Sequence, residues 1–136
     1  MTSNNPRILV VDDEPVSLML LDTILRRSSF AVATALSGHE ALTLLQQEPF
    51  DLMILDLLMP DMDGLTVLEI LRKDPYFENF PVIVFTAVSQ NRVRLDAFEK
   101  GATTFLTKPV SSHELTRVVN KYLQASTFSA DPSHTG

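Results

Sequence analysis

Ile8-Leu9-Val10-Val11-Asp12-Asp13-Glu14-Pro15 decides how the rest of the chain reads. Four apolar residues, three of them β-branched, suit a short strand buried on both faces. Three acidic residues end it at once, and Pro15 fits the first turn of a helix, where its missing N–H costs nothing. From Val16 to Ser28 the spacing is helical, with Leu18, Leu21 and Leu25 on one face and Ile24 beside them.

The same unit recurs along the chain. Phe30 to Ala35 predicts a second strand, and Ser37-Gly38-His39-Glu40 is a capping box that opens a helix running to Glu48, closed by Pro49. Leu52-Met53-Ile54-Leu55 is a third strand ending at Asp56, and a helix follows Pro60-Asp61-Met62-Asp63-Gly64 to about Asp74, stopped by Pro75. Val82 to Phe85 is a fourth strand ending at Thr86, followed by a helix from about Asn91 to Lys100 with Gly101 at its C-terminus. Phe105-Leu106 is a brief fifth strand ahead of Lys108-Pro109, and Ser111-Ser112-His113-Glu114 is a second capping box for a helix to Ala125. Five strand–helix units in alternation predict an α/β fold with an open parallel sheet covered by helices on both faces.

Composition agrees with a single domain. The chain has 136 residues, and 45% of them are hydrophobic, enough for one core at roughly 100–200 residues per domain. It has no cysteine, which removes disulfides, thiolate zinc sites and a cysteine nucleophile, and suits a reducing, cytoplasmic setting. A net charge of −6 argues against a broad nucleic-acid footprint. The apolar runs are strand-length, so no membrane span is expected, and the polar start Met1 to Arg7 is not a signal peptide. The domain is expected over residues 1–125, with 126–136 a small, polar, disordered tail.

In open parallel sheets the working site lies outside the carboxyl ends of the strands. Those ends deliver Asp12, Asp13, Asp56, Thr86 and Lys108. Taken singly, Asp12 or Asp13 could be a helix N-cap, Thr86 a plain strand residue and Lys108 a solvated surface group. Together they place three carboxylates, a hydroxyl and an ammonium in one crevice. Clustered carboxylates repel one another and a divalent cation relieves that; oxygen-only ligands favour Mg²⁺. Lys108 and Thr86 suit the charge of a transferring phosphoryl group, and an aspartate can itself be the nucleophile. His39, His113 and His134 are scattered and form no ligand set; Asp61 and Asp63 read as turn and cap residues.

Val10-Val11-Asp12-Asp13-Glu14-Pro15, Leu55-Asp56-Leu57-Leu58-Met59-Pro60, Met62-Asp63-Gly64, Thr86-Ala87, Gly101-Ala102 and Lys108-Pro109 together resemble the receiver domain of bacterial two-component response regulators. The likeness spans roughly Arg7 to Leu123. It implies a flavodoxin-like (βα)5 fold with strand order 2-1-3-4-5. It implies that Asp56 accepts phosphate from a phosphohistidine of a histidine kinase or histidine phosphotransfer protein and that the domain then switches a downstream target. By the same resemblance, Mg²⁺ is held by Asp13 directly, by Asp12 mostly through water, by Asp56 and by the backbone carbonyl of Leu58. Lys108 pairs with the phosphoryl group, Thr86 moves toward it, Phe105 is the switch aromatic, and the Lys108–Pro109 bond is cis. Such a domain is a phosphoacceptor that catalyses its own phosphorylation and dephosphorylation, not an enzyme acting on an independent metabolite. The chain either works alone or is a piece of a longer regulator or hybrid kinase.

Departures from the family pattern carry expectations of their own. Leu58 and Val88 are apolar where many relatives are polar, and both positions influence phosphate lifetime there. Thr103 and Thr104 stand where the winged-helix branch has acidic residues, and Phe105 lacks a tyrosine hydroxyl. Val16, Met19 and Leu20 fall outside the core stripe of the first helix and predict a docking surface for the phosphodonor. Two rivals fit less well. An aspartate-nucleophile phosphatase needs an acid two residues on, where Leu58 stands. A flavodoxin-like redox carrier needs phosphate-binding donors after the first strand, where Asp12-Asp13-Glu14 would repel.

Overall fold

The computed structural model describes residues 5–60 and 62–130. The five strands are β1 (Arg7–Val11), β2 (Ala31–Ala35), β3 (Leu52–Leu55), β4 (Val82–Thr86) and β5 (Thr104–Thr107). They pair in parallel in the order β2-β1-β3-β4-β5, as the resemblance implied. The helices are α1 (Pro15–Arg27), α2 (Gly38–Gln47), α3 (Gly64–Arg72), α4 (Asn91–Glu99) and α5 (Ser112–Ala125).

Strand alternation splits the core into two layers, because successive side chains point to opposite faces. Leu9, Val11, Met53, Leu55, Val82 and Val84 pack with α2, α3 and α4 on one face. Ile8, Val10, Leu52, Ile54, Ile83 and Phe85 pack with α1 and α5 on the other. Leu18, Leu21 and Leu25 are the buried stripe of α1, as their spacing predicts.

Register fixes where the polar strand ends arrive. Val11 lies opposite Leu55, and Leu55 opposite Val84. Hydrogen bonds then run past the strands: Asp12 N donates to Ala35 O at 3.1 Å, Asp56 N to Val11 O at 3.0 Å and Lys108 N to Thr86 O at 2.8 Å. The chemical residues therefore start from backbone that the sheet still holds.

Several details differ from the sequence reading. Helix α3 ends at Arg72, and a 3₁₀ turn over Pro75–Phe77 follows, capped by Asp74, whose side chain accepts from Tyr76 N. The capping boxes close halfway. Ser37 and Ser111 accept from Glu40 N and Glu114 N, but Glu40 accepts from Leu36 N and Glu114 takes Arg117 instead of the cap backbone. Strand β5 extends to four residues. The segment after α5, expected to be disordered, is placed through Ala130, with Phe128 packed on the core. The remainder of that tail, and Asp61, lie outside the described residues.

Candidate functional site

Three strand ends bury polar groups side by side. Asp12 is 1% exposed, Asp56 7% and Thr86 0%. A carboxylate that deep needs partners, and both have two. Asp12 Oδ1 accepts from Glu14 N at 3.0 Å, and Asp56 Oδ1 accepts from Leu58 N at 3.2 Å. Their other oxygens share the Lys108 ammonium, which donates to Asp12 Oδ2 at 2.6 Å and to Asp56 Oδ2 at 3.2 Å. Burial pulls the Lys108 pKa down; the bond to Asp12 and the charges of Asp56 and Asp12 outweigh it, so the net shift is upward.

The N-cap alternative for the acidic pair does not hold. Glu14 is the N-cap of α1, with no side-chain cap bond and Pro15 in the first turn. Asp12 ties the loop before the helix, and Asp13 is the more open of the pair. Asp12, Asp13 and Asp56 each offer a carboxylate oxygen within 4.8 Å of the others, an arrangement that could hold a metal ion. Beside them, Thr86 Oγ1 is buried and has no hydrogen-bond partner among the described residues. An orphaned hydroxyl at a strand end, next to an ammonium and an acidic cluster, fits an oxyanion that completes the set.

Gly64 sets the closeness of the loop that follows Asp56. A Cβ there would lie 2.5 Å from Asp56 O and 2.8 Å from Leu57 Cα, so a side chain would push α3 off the site. Gly64 N donates to Leu57 O at 3.0 Å, and Asp63 caps the helix by accepting from Thr66 N.

The profile described as "Response regulator receiver domain" matches residues 8–120. The chain belongs to this family. The receiver is 40% identical over 104 residues to the response regulator PleD of Caulobacter vibrioides, covering 76% of this chain and 23% of that protein. It is 34% identical over 125 residues to the sensor histidine kinase GacS of Pseudomonas protegens, covering 90% and 14%. This chain thus spans less than a quarter of the length of either relative, one a larger regulator and the other a kinase. Among solved structures, the receiver domain of the Francisella response regulator 1452 superposes with a TM-score of 0.82 at 32% identity, covering 89% of this chain and 98% of that one.

Around the receiver's central cluster lie the other residues that the sequence singles out. The Lys108–Pro109 bond is cis. Phe105 is buried, 5% exposed, and the Arg94 guanidinium sits 5.4 Å from its ring centroid. Nothing in the spacing of α4 announces that contact. Leu58 is exposed, and with Val88 and Asp13 it lines an apolar cavity of about 460 Å³. Val16, Met19 and Leu20 are 78%, 67% and 60% exposed. Among the described residues no helix is long and apolar enough to cross a membrane.

Proposed function

We propose that this receiver takes a phosphoryl group from a phosphohistidine of a histidine kinase or histidine phosphotransfer protein onto Asp56. The P–N bond to the imidazole breaks, a P–O bond to the Asp56 carboxylate forms, and the departing imidazole takes up a proton. Asp12, Asp13 and Asp56, with the backbone carbonyl of Leu58, would hold Mg²⁺. Bound there, the cation supplies positive charge to the phosphoryl oxygens and offsets the carboxylate repulsion. In this reading Lys108 pairs with a phosphoryl oxygen, and the Thr86 hydroxyl donates to another. As Thr86 moves toward the phosphoryl group, Phe105 serves as the switch aromatic that conveys the change to a downstream target.

One observation carries the reading: the buried Asp56 carboxylate shares Lys108 with Asp12 while the neighbouring Thr86 hydroxyl has no partner among the described residues. A solely structural buried cluster would satisfy its hydroxyl. The net charge of −6 supports protein partners over nucleic acid, and the reading places the domain in the cytoplasm, facing the kinase.

Incubation of the full chain with acetyl phosphate and Mg²⁺ tests it by intact mass. The native protein gains one phosphoryl group. Asp56→Asn gains none, since an amide is no nucleophile toward phosphorus. Labelling that persists in Asp56→Asn refutes the assignment.

A further inference from the structure

The chain does not leave the fold at the end of α5. Ser126 Oγ accepts from Phe128 N at 3.0 Å, which bends the segment. Phe128 then enters a group of three aromatic rings on the turn before β4. It meets Phe80 edge-on at 5.0 Å and Tyr76 edge-on at 5.4 Å, and lies parallel to Phe77 at 6.3 Å. Phe77 and Phe80 are core residues. Its neighbours in sequence, Ser126, Thr127, Ser129 and Ala130, are too small to hold the segment down, so among the described residues Phe128 is the anchor.

The receiving rings are braced independently of Phe128. Tyr76 packs edge-on against Phe77 at 4.7 Å, and Phe77 against Phe80 at 5.4 Å. The Phe77 carbonyl accepts from both Phe80 N and Arg72 Nη1. The same Arg72 guanidinium donates two bonds, at 3.0 and 2.8 Å, to the carbonyl of Gly101 in the turn that feeds β5. Gly101 has φ +111°, and a Cβ there would meet Arg72 Cγ at 2.6 Å. One side chain therefore joins a wall of the aromatic group to the entry of the strand that carries Phe105.

We infer that Tyr76, Phe77 and Phe80 form an in-cis docking site for the segment after α5, with Phe128 as its ligand, and that Arg72 couples its occupancy to the Gly101 turn. The ligand class is an aromatic side chain on a short segment of small residues. The site lies at the end of the sheet where β4 begins, opposite the end that carries Asp56. In a longer protein containing this segment, whatever follows would start from that end and not along the axis of α5. Nothing in this inference depends on the phosphotransfer reading.

Nuclear magnetic resonance on the full chain tests it. The native protein shows ring–ring contacts between Phe128 and both Tyr76 and Phe80, with slowed amide exchange at Phe128. In Phe128→Ala, amides of Phe80, Gly101 and Ala102 exchange about tenfold faster or more, since aromatic packing of this kind is worth that order. Amides of β1 and β3 keep their native rates, and Phe128→Leu falls between the two. Unstructured exchange rates over 126–130 in the native protein, without ring contacts, overturn the docking. A response confined to 126–130 in Phe128→Ala overturns the coupling. Ring contacts found only between differently labelled copies overturn the in-cis assignment in favour of exchange between chains.

Discussion

Lys108 Nζ stands 2.6 Å from Asp12 Oδ2 but 3.2 Å from Asp56 Oδ2, so its shorter bond goes to Asp12 and not to Asp56, the proposed phosphoacceptor. The ammonium and a cation held there would therefore draw on the same carboxylates. Replacing Lys108 by Met removes the counter-charge shared by two buried carboxylates, which raises the attraction of the cluster for a divalent ion. Mg²⁺ titration followed through the Asp13 and Leu58 amide signals is expected to show binding roughly three- to tenfold tighter in Lys108→Met. Labelling by acetyl phosphate falls in the same variant, because the ammonium no longer meets the phosphoryl charge. Unchanged or weaker Mg²⁺ binding would show that Lys108 does not compete with the metal.

Lys108 also predicts a response to alkaline pH. Its folded pKa is raised above the ordinary 10.5 of a lysine. For a cation with a raised pKa, the stabilisation is fully present below the unfolded value and is lost as pH rises through the folded one. Native protein should thus be more stable than Lys108→Met across neutral pH, with the difference shrinking above 10.5. Urea unfolding at stepped pH measures it. A gap that stays constant through that range would mean that the ammonium's charge is not what stabilises the cluster.

The site was legible in the sequence because it depends on strand ends, and the strands announce themselves. Ile8 to Val11, Leu52 to Leu55 and Val82 to Phe85 read as unbroken apolar runs because both faces are covered. Parallel pairing then brings Asp12, Asp56 and Thr86 to one edge without further information. What stayed hidden are contacts between residues that are each ordinary alone. Pro75 reads as a helix stop, yet it also begins the turn that presents Tyr76 and Phe77. Phe128 sits among small polar residues that read as a free tail, and its partners lie some fifty positions away. Glu114 completes a capping-box pattern, but Arg117 one turn on offers its carboxylate two charged bonds and wins.

Val16, Met19 and Leu20 lie on the exposed side of α1, which starts two residues after Asp13. Three large apolar groups adjoining the acidic cluster form a surface that a helical phosphodonor could cover. Met19→Glu introduces a charge there without touching the buried stripe of Leu18, Leu21 and Leu25. Transfer from a cognate histidine kinase is expected to fall roughly tenfold or more, as truncation or charging of an interface anchor does. Labelling by acetyl phosphate, which needs no protein contact, is expected to stay at the native rate. Equal loss in both assays would point to a folding defect and remove the docking role.

Leu58 and Val88 line one apolar cavity together with Asp13, and this arrangement bears on how long a phosphoryl group would survive on Asp56. Hydrolysis of an acyl phosphate requires a water in line with the P–O bond. Neither side chain can hydrogen-bond that water or take its proton, so neither can orient it for attack. Since orientation of a reactant is worth orders of magnitude in rate, the apolar pair is expected to slow the loss. Leu58→Asn combined with Val88→Glu supplies both a hydrogen-bonding group and a base at the same wall. Labelled with acetyl phosphate, desalted into Mg²⁺ buffer and followed by intact mass, the double variant is expected to lose phosphate roughly tenfold faster than the native protein. Leu58→Met with Val88→Ile keeps the wall apolar and is expected to hold the native lifetime. Equal decay in all three proteins would mean that the cavity does not govern access of water, and that the lifetime is set by Lys108 and Thr86 on the phosphoryl oxygens themselves.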